Sequence, residues 1–94
     1  MVFQIYAYYD PRIDGYSQPF CAQLNDAQII EQLTRMAKLG KLGTASGCSV
    51  YWLGTYDDCT GKLDVQPQKF VLDVAKLEAQ IDLVNKKEAP NNAD

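Results

Sequence analysis

The chain has no histidine, so it lacks the side chain that most often moves protons near neutral pH. Carboxylates could take over that work, and Asp10, Asp14, Asp57 and Asp58 stand in two short polar segments, DPRIDG and DDCTGK. Both segments read as turns, where an Asp side chain accepts hydrogen bonds from nearby backbone N–H groups. That ordinary role accounts for all four residues. DDCTGK also lacks the alternating oxygen ligands and closing glutamate of an EF-hand, so calcium is not expected. In GKLGT the residue after Lys41 is Leu42, where a phosphate-binding P-loop needs Ser or Thr, and a helical pattern precedes it where a strand is required. Cys21, Cys48 and Cys59 are odd in number, widely spaced and free of any CxxC pair. They read as three free thiols, with neither a disulfide framework nor a zinc set. The expectation is a protein without catalytic residues, metal or cofactor.

What remains is the chemistry of contact, carried by aromatic rings, and strands and helices must position them. Ninety-four residues suit one domain. The alternation in VFQIYAYY, residues 2–9, predicts a strand with Phe3, Ile5, Ala7 and Tyr9 on the core face and Gln4, Tyr6 and Tyr8 on the other. Asp10, Pro11 and Gly15 make the following turn, with Gly15 free to take φ > 0. A second strand over about 16–23 closes a hairpin, at a sheet edge or bulged at Pro19, which has no N–H to donate. Asn25 caps a helix with Gln28 in the capping-box position, apolar residues follow at 29, 30, 33, 36 and 37, and Gly40 stops it. GKLGTASG, 40–47, reads as a flexible connection. SVYWLGTY, 49–56, is the strongest strand pattern, followed by a hairpin loop over 57–62 and a short return strand ending at Pro67. A second helix over about 68–86 carries Phe70, Val74, Leu77, Ile81 and Val84 at alternating spacings of four and three.

The predicted fold is α+β, with elements in ββαββα order, an antiparallel sheet of about four strands and the helices on one face. A single domain spans 1–87, and 88–94 form a disordered tail. If the helices cover the face of Phe3 and Ile5, Tyr6 and Tyr8 lie on the open one. There they could stabilise the sheet as cross-strand pairs, anchor a protein interface, or stack unpaired bases together with Trp52. Lys38 and Lys41, beside flexible glycines, are the candidate contacts to a phosphate backbone. The stripe of Phe70, Val74, Leu77, Ile81 and Val84 is a candidate homodimer seam.

Bulk charge weighs between these readings. A net charge of −3 argues against a general DNA coat, whose affinity comes from neutralising phosphates, and favours a protein partner. No apolar run approaches the ~18 residues of a membrane span. The first residues lack the positive start and long apolar stretch of a secretory leader, so a soluble intracellular protein is expected.

Two stretches together carry a resemblance. IYAYYDPRIDGYSQPF follows a pattern of strand, Tyr-x-x-x-Asp, turn, aromatic and Pro-Phe, while VYWLGTYDDCTGKLDV follows apolar strand, Leu-Gly-x-aromatic-Asp, Asp, Thr-Gly and return strand. In order and spacing they are similar to the small nonstructural protein of gokushovirus-type microviruses, icosahedral phages with circular single-stranded DNA. The matching residues are Tyr6, Asp10, Pro19, Phe20, Leu53, Gly54, Tyr56, Asp57, Asp58, Thr60 and Gly61, within residues 3–66; the second helix and tail extend beyond the match. The resemblance implies expression in the cytoplasm of an infected bacterium and absence from the mature virion. It also implies an accessory role in single-stranded genome replication or packaging, through a viral or host replication or packaging protein or by binding single-stranded DNA. It brings no active site with it.

Overall fold

The computed structural model describes residues 1–88, with side chains through Val84. The fold is mixed α+β, with an antiparallel curled sheet and two α-helices. The strands are β1 (Val2–Asp10), β2 (Gly15–Tyr16), β3 (Phe20–Ala22), β4 (Ser49–Asp57) and β5 (Lys62–Asp73). The helices are α1 (Asp26–Lys38) and α2 (Val74–Glu88), with a 3₁₀ turn at Gly43–Ala45. The sheet runs β2-β1-β4-β5, and β3 also pairs with β1. All but the first residue of the expected tail lies outside the described residues.

Local chemistry explains the first half. Asp10 Oδ1 accepts the backbone N–H of Arg12 at 2.9 Å, making the turn after β1, although Asp14 rather than Gly15 takes the left-handed conformation, at φ 49°. The second strand, expected in one piece, is broken between Tyr16 and Phe20. Pro19 sits in the break, and Ser17 holds the gap to β1, its Oγ accepting from Tyr8 N at 2.9 Å. Asn25 and Gln28 close the expected capping box on α1. At its far end, Gly40 N–H donates to Ala37 O and Lys41 N–H to Met36 O, with Gly40 at φ 69°; together these form a Schellman cap.

Three expectations are corrected. The connection 40–47 is built in rather than flexible, because Leu42 and Ala45 fall on one side of the 3₁₀ turn and enter the core. Pro67 does not end β5, which continues to Asp73 and leaves α2 to begin at Val74. The register explains how: Gly54 pairs with Val65 and Trp52 with Lys69, so Gln66, Pro67 and Gln68 stand opposite Leu53 alone. The missing N–H of Pro67 is tolerated in a bulge on an edge strand, and Phe70, Val71 and Leu72 are good strand formers beyond it.

The largest correction concerns which face of β1 is inside. Tyr6 is 0% exposed and clusters with Ile29, Leu33, Leu42, Ala45, Val50 and Val74, with Tyr8, Phe20, Trp52 and Leu72 packed around them. α1 therefore covers the face of Tyr6 and Tyr8, while Phe3, Ile5, Ala7 and Tyr9 lie on the other. A buried tyrosine is costly only if its hydroxyl is stranded. The Tyr6 hydroxyl lies 3.0 Å from Leu24 O and 2.9 Å from Asp26 Oδ1, so the ring contributes its area to the core with the polar tip satisfied. Phe20, paired with Tyr6, reaches the core as expected.

α2 leaves the end of the sheet. Val74 is fully buried, and its N–H donates to Cys48 O at 2.8 Å. One turn later the Glu78 carboxylate accepts from Ser46 Oγ at 2.6 Å and Gly47 N at 2.9 Å. These contacts fix both the position and the rotation of the helix.

Candidate functional site

The face of the sheet away from Tyr6 gathers aromatic rings from four strands. Tyr9 of β1 pairs with Tyr16 of β2, Ala7 of β1 with Tyr51 of β4, and Tyr51 with Phe70 of β5. Paired residues share a face, so backbone register alone assembles the group. Ring centroids are 5.0 Å apart for Tyr9–Tyr16, 5.8 Å for Tyr16–Tyr51 and 5.8 Å for Tyr51–Phe70. The last two pairs meet edge to face, the arrangement that the ring quadrupole favours. Ala7 is only 1% exposed, so the rings close over the backbone at that point. Tyr16 and Phe70 nonetheless keep 47% and 55% of their surface in solvent.

Polar contacts hold the rings in place. Tyr9 Oη donates to Asp14 Oδ1 at 2.5 Å, and this bond is the main reason its phenol titrates above the ordinary range. Gln68, in the bulge of β5, donates from Nε2 to Tyr16 Oη at 2.7 Å, reaching across the sheet. Beyond the cluster, the same face continues as Phe3–Tyr56–Leu63 and Ile5–Gly54–Val65 across β1, β4 and β5. Leu63 and Val65 are exposed. The result is one apolar surface from the hairpin end to β2.

The charge at its rim is acidic. Asp14 accepts the Tyr9 hydroxyl, while Asp10 is bound by Arg12 through Nε at 2.8 Å and Nη2 at 3.2 Å. These bonds hold the Asp10 carboxyl below the usual carboxylate range and occupy the guanidinium, which also donates to Ser46 O at 2.8 Å.

The residues expected from the sequence fall elsewhere. Tyr6 and Tyr8 are core or half-buried beneath α1, and desolvation leads the causes that raise both phenols. Trp52 is on the α1 side too. Its Nε1 donates to Gln4 Oε1 at 2.8 Å, and the Lys69 ammonium lies 5.2 Å from its ring centre while pairing with Asp26 Oδ2 at 2.7 Å. These groups line an open pocket of about 380 Å³ with Asn25 and Ala27. Lys38 and Lys41 are exposed at the opposite end of α1, roughly 20 Å along a 13-residue helix, so the structure does not bring them to Trp52. In the expected seam, Phe70 belongs to β5 and the open face. Val74 is buried, Leu77 and Ile81 are half-buried, and Val84 is exposed.

The acidic turns do the work of turns. Cys59 N donates to Asp57 Oδ1 at 2.9 Å, and Gly61 N to Asp57 O at 2.7 Å with Gly61 at φ 73°. Asp57, Asp58 and Cys59 bring ligand-type atoms within 4.8 Å of one another, but Asp58 already accepts from the Met1 ammonium at 2.8 Å. Cys48 is buried, Cys21 and Cys59 are exposed, and all three are free. Desolvation pushes the Cys48 thiol up, away from nucleophilic use.

The aromatic group could have been found from the sequence by giving Tyr6 to the core. The alternation then places Tyr9 outside, and the two turns bring Tyr16 and Tyr51 beside it. Among the described residues no helix is long and apolar enough to cross a membrane. Comparison with protein-family models, curated proteins and solved structures yields no match.

Proposed function

We propose that this chain is a non-enzymatic accessory protein that holds a protein partner on the aromatic face of its sheet. The observation that carries the reading is the Tyr9–Tyr16–Tyr51–Phe70 group, prearranged by register and left half in solvent. Rigid aromatic side chains lose little entropy on binding and dominate the energetics of protein interfaces. The neighbouring Phe3, Ile5, Leu63 and Val65 extend the patch, and exposed apolar surface that is continuous rather than scattered marks an interaction site. The acidic rim favours a protein over a phosphate backbone. In the setting implied by the resemblance, the partner is a viral or host replication or packaging protein in the cytoplasm of an infected bacterium.

The test compares captures by the tagged wild type and by a Tyr16→Ser/Phe70→Ser variant, both from infected cells. Both rings are exposed, so the fold should survive, and circular dichroism checks it. A replication or packaging component held by the wild type and lost by the folded variant is expected; equal recovery would overturn the reading.

Single-stranded DNA is the second reading, favoured by the presentation of rings from adjacent strands, each able to stack a base. Its platform is Tyr9, Tyr16, Tyr51 and Phe70 in place of Tyr6, Tyr8 and Trp52. Oligothymidylate at low salt should then quench tyrosine emission while leaving Trp52, on the opposite face, unchanged. No quenching at tens of micromolar removes this reading.

A further inference from the structure

The outward side of α2 has no covering within the described residues. Val74, Glu78 and Ile81 face the body, and the Glu78 contacts to Ser46 and Gly47 lock that rotation. Ala75, Ala79 and Leu83, four residues apart, are consequently turned to solvent, and Leu83 is 58% exposed. Lys76 and Asp82 flank this stripe, are exposed, and make no ion pair with one another or with other described side chains.

We infer that α2 pairs antiparallel with α2 of a second copy of this chain, about a two-fold axis at Ala79. The argument is one of self-complementarity, which an isologous contact demands. A single antiparallel register sets Leu83 of each copy against Ala75 of the other and Ala79 against Ala79. The same register sets Lys76 against Asp82 twice, with opposite charges meeting at both ends. Ala79 at the axis allows the close helix approach that the larger Leu83 needs in order to seat. The matched residues span about 12 Å of helix, a small contact. The dimer is accordingly weak, with a dissociation constant on the order of 100 µM.

Sedimentation velocity across a concentration series tests this. The wild type should shift from monomer toward dimer at high concentration, and Leu83→Ser should abolish the shift. Lys76→Asp and Asp82→Lys should each weaken association roughly tenfold by turning two attractions into repulsions, and the double exchange should restore it. In a Cys21→Ser/Cys59→Ser background, Ala79→Cys should form a disulfide dimer under mild oxidation, while Ala75→Cys, remote from its own copy, should not. These exposed positions leave the core intact, and the disulfide test does not depend on the charge variants folding. A wild type that stays monomeric throughout would overturn the inference. So would a dimer indifferent to the charge exchange, or one lost instead in Tyr16→Ser/Phe70→Ser, which would place a second copy on the aromatic face.

Discussion

Tyr6 shows how one hydroxyl decides which way a strand faces. Its ring fills the centre of the core, and its Oη meets both Leu24 O and Asp26 Oδ1, so the tyrosine packs like a phenylalanine with an anchor. Tyr6→Phe keeps the packing and removes the anchor, and should cost about 1 kcal/mol in urea unfolding at neutral pH. The same bond has an alkaline signature. Burial, then the hydrogen bond to Asp26, raises the Tyr6 phenol, so the folded state favours its neutral form. That contribution is fully present below the ordinary phenol value of about 10 and is lost as pH rises through the folded one. Wild-type stability should therefore fall more steeply above this point than that of Tyr6→Phe. Parallel alkaline limbs for the two proteins would show that Tyr6 is not the group responsible.

At the scale of elements, the pairing of β4 with β5 turns on Gly54. A Cβ there would lie 2.1 Å from Asp64 O, and the residue sits at φ 149°, so neither the space nor the conformation suits a side chain. Gly54→Ala should force the two strands apart and cost about 2–4 kcal/mol, seen as a fall in the urea midpoint. A midpoint within error of the wild type would mean that the backbone relaxes without loss. Legibility in the sequence follows the same division between local and distant causes. Asn25, Gln28 and Gly40 announce α1 because a helix end is satisfied by its own neighbours, and Asp57 and Gly61 announce the hairpin loop for the same reason. The face of β1 was hidden because Phe3 and Ile5 are more apolar than Tyr6 and Tyr8, while the choice was made by Asp26 and Leu24, about twenty residues away. The extent of β5 was hidden because Pro67 reads as a stop unless it is known to occupy a bulge. The aromatic group combined both problems. Its members Tyr9, Tyr16, Tyr51 and Phe70 are distant in the chain and meet only once the faces and the bulge are in place.

The molecule measures 61 × 28 × 18 Å. A 12-residue strand followed by a 15-residue helix spans roughly 60 Å, so β5 and α2 account for the long dimension by running nearly end to end. The aromatic face and the outer side of α2 are separate surfaces on this frame, and a partner on one leaves the other open. β5 also forms one border of the sheet, beside a patch rich in aromatic and aliphatic residues. Such borders invite copying by identical chains, strand upon strand, into fibrils. The three residues opposite Leu53 interrupt the template: an incoming strand falls out of step halfway along and meets a proline with nothing to donate. Deleting Gln66 and Gln68 and replacing Pro67 with Val would straighten the border. On prolonged incubation that variant should bind thioflavin and sediment while the wild type stays in solution; equal solubility would locate the protection elsewhere. The bulge is then a device that keeps an adhesive sheet from polymerising.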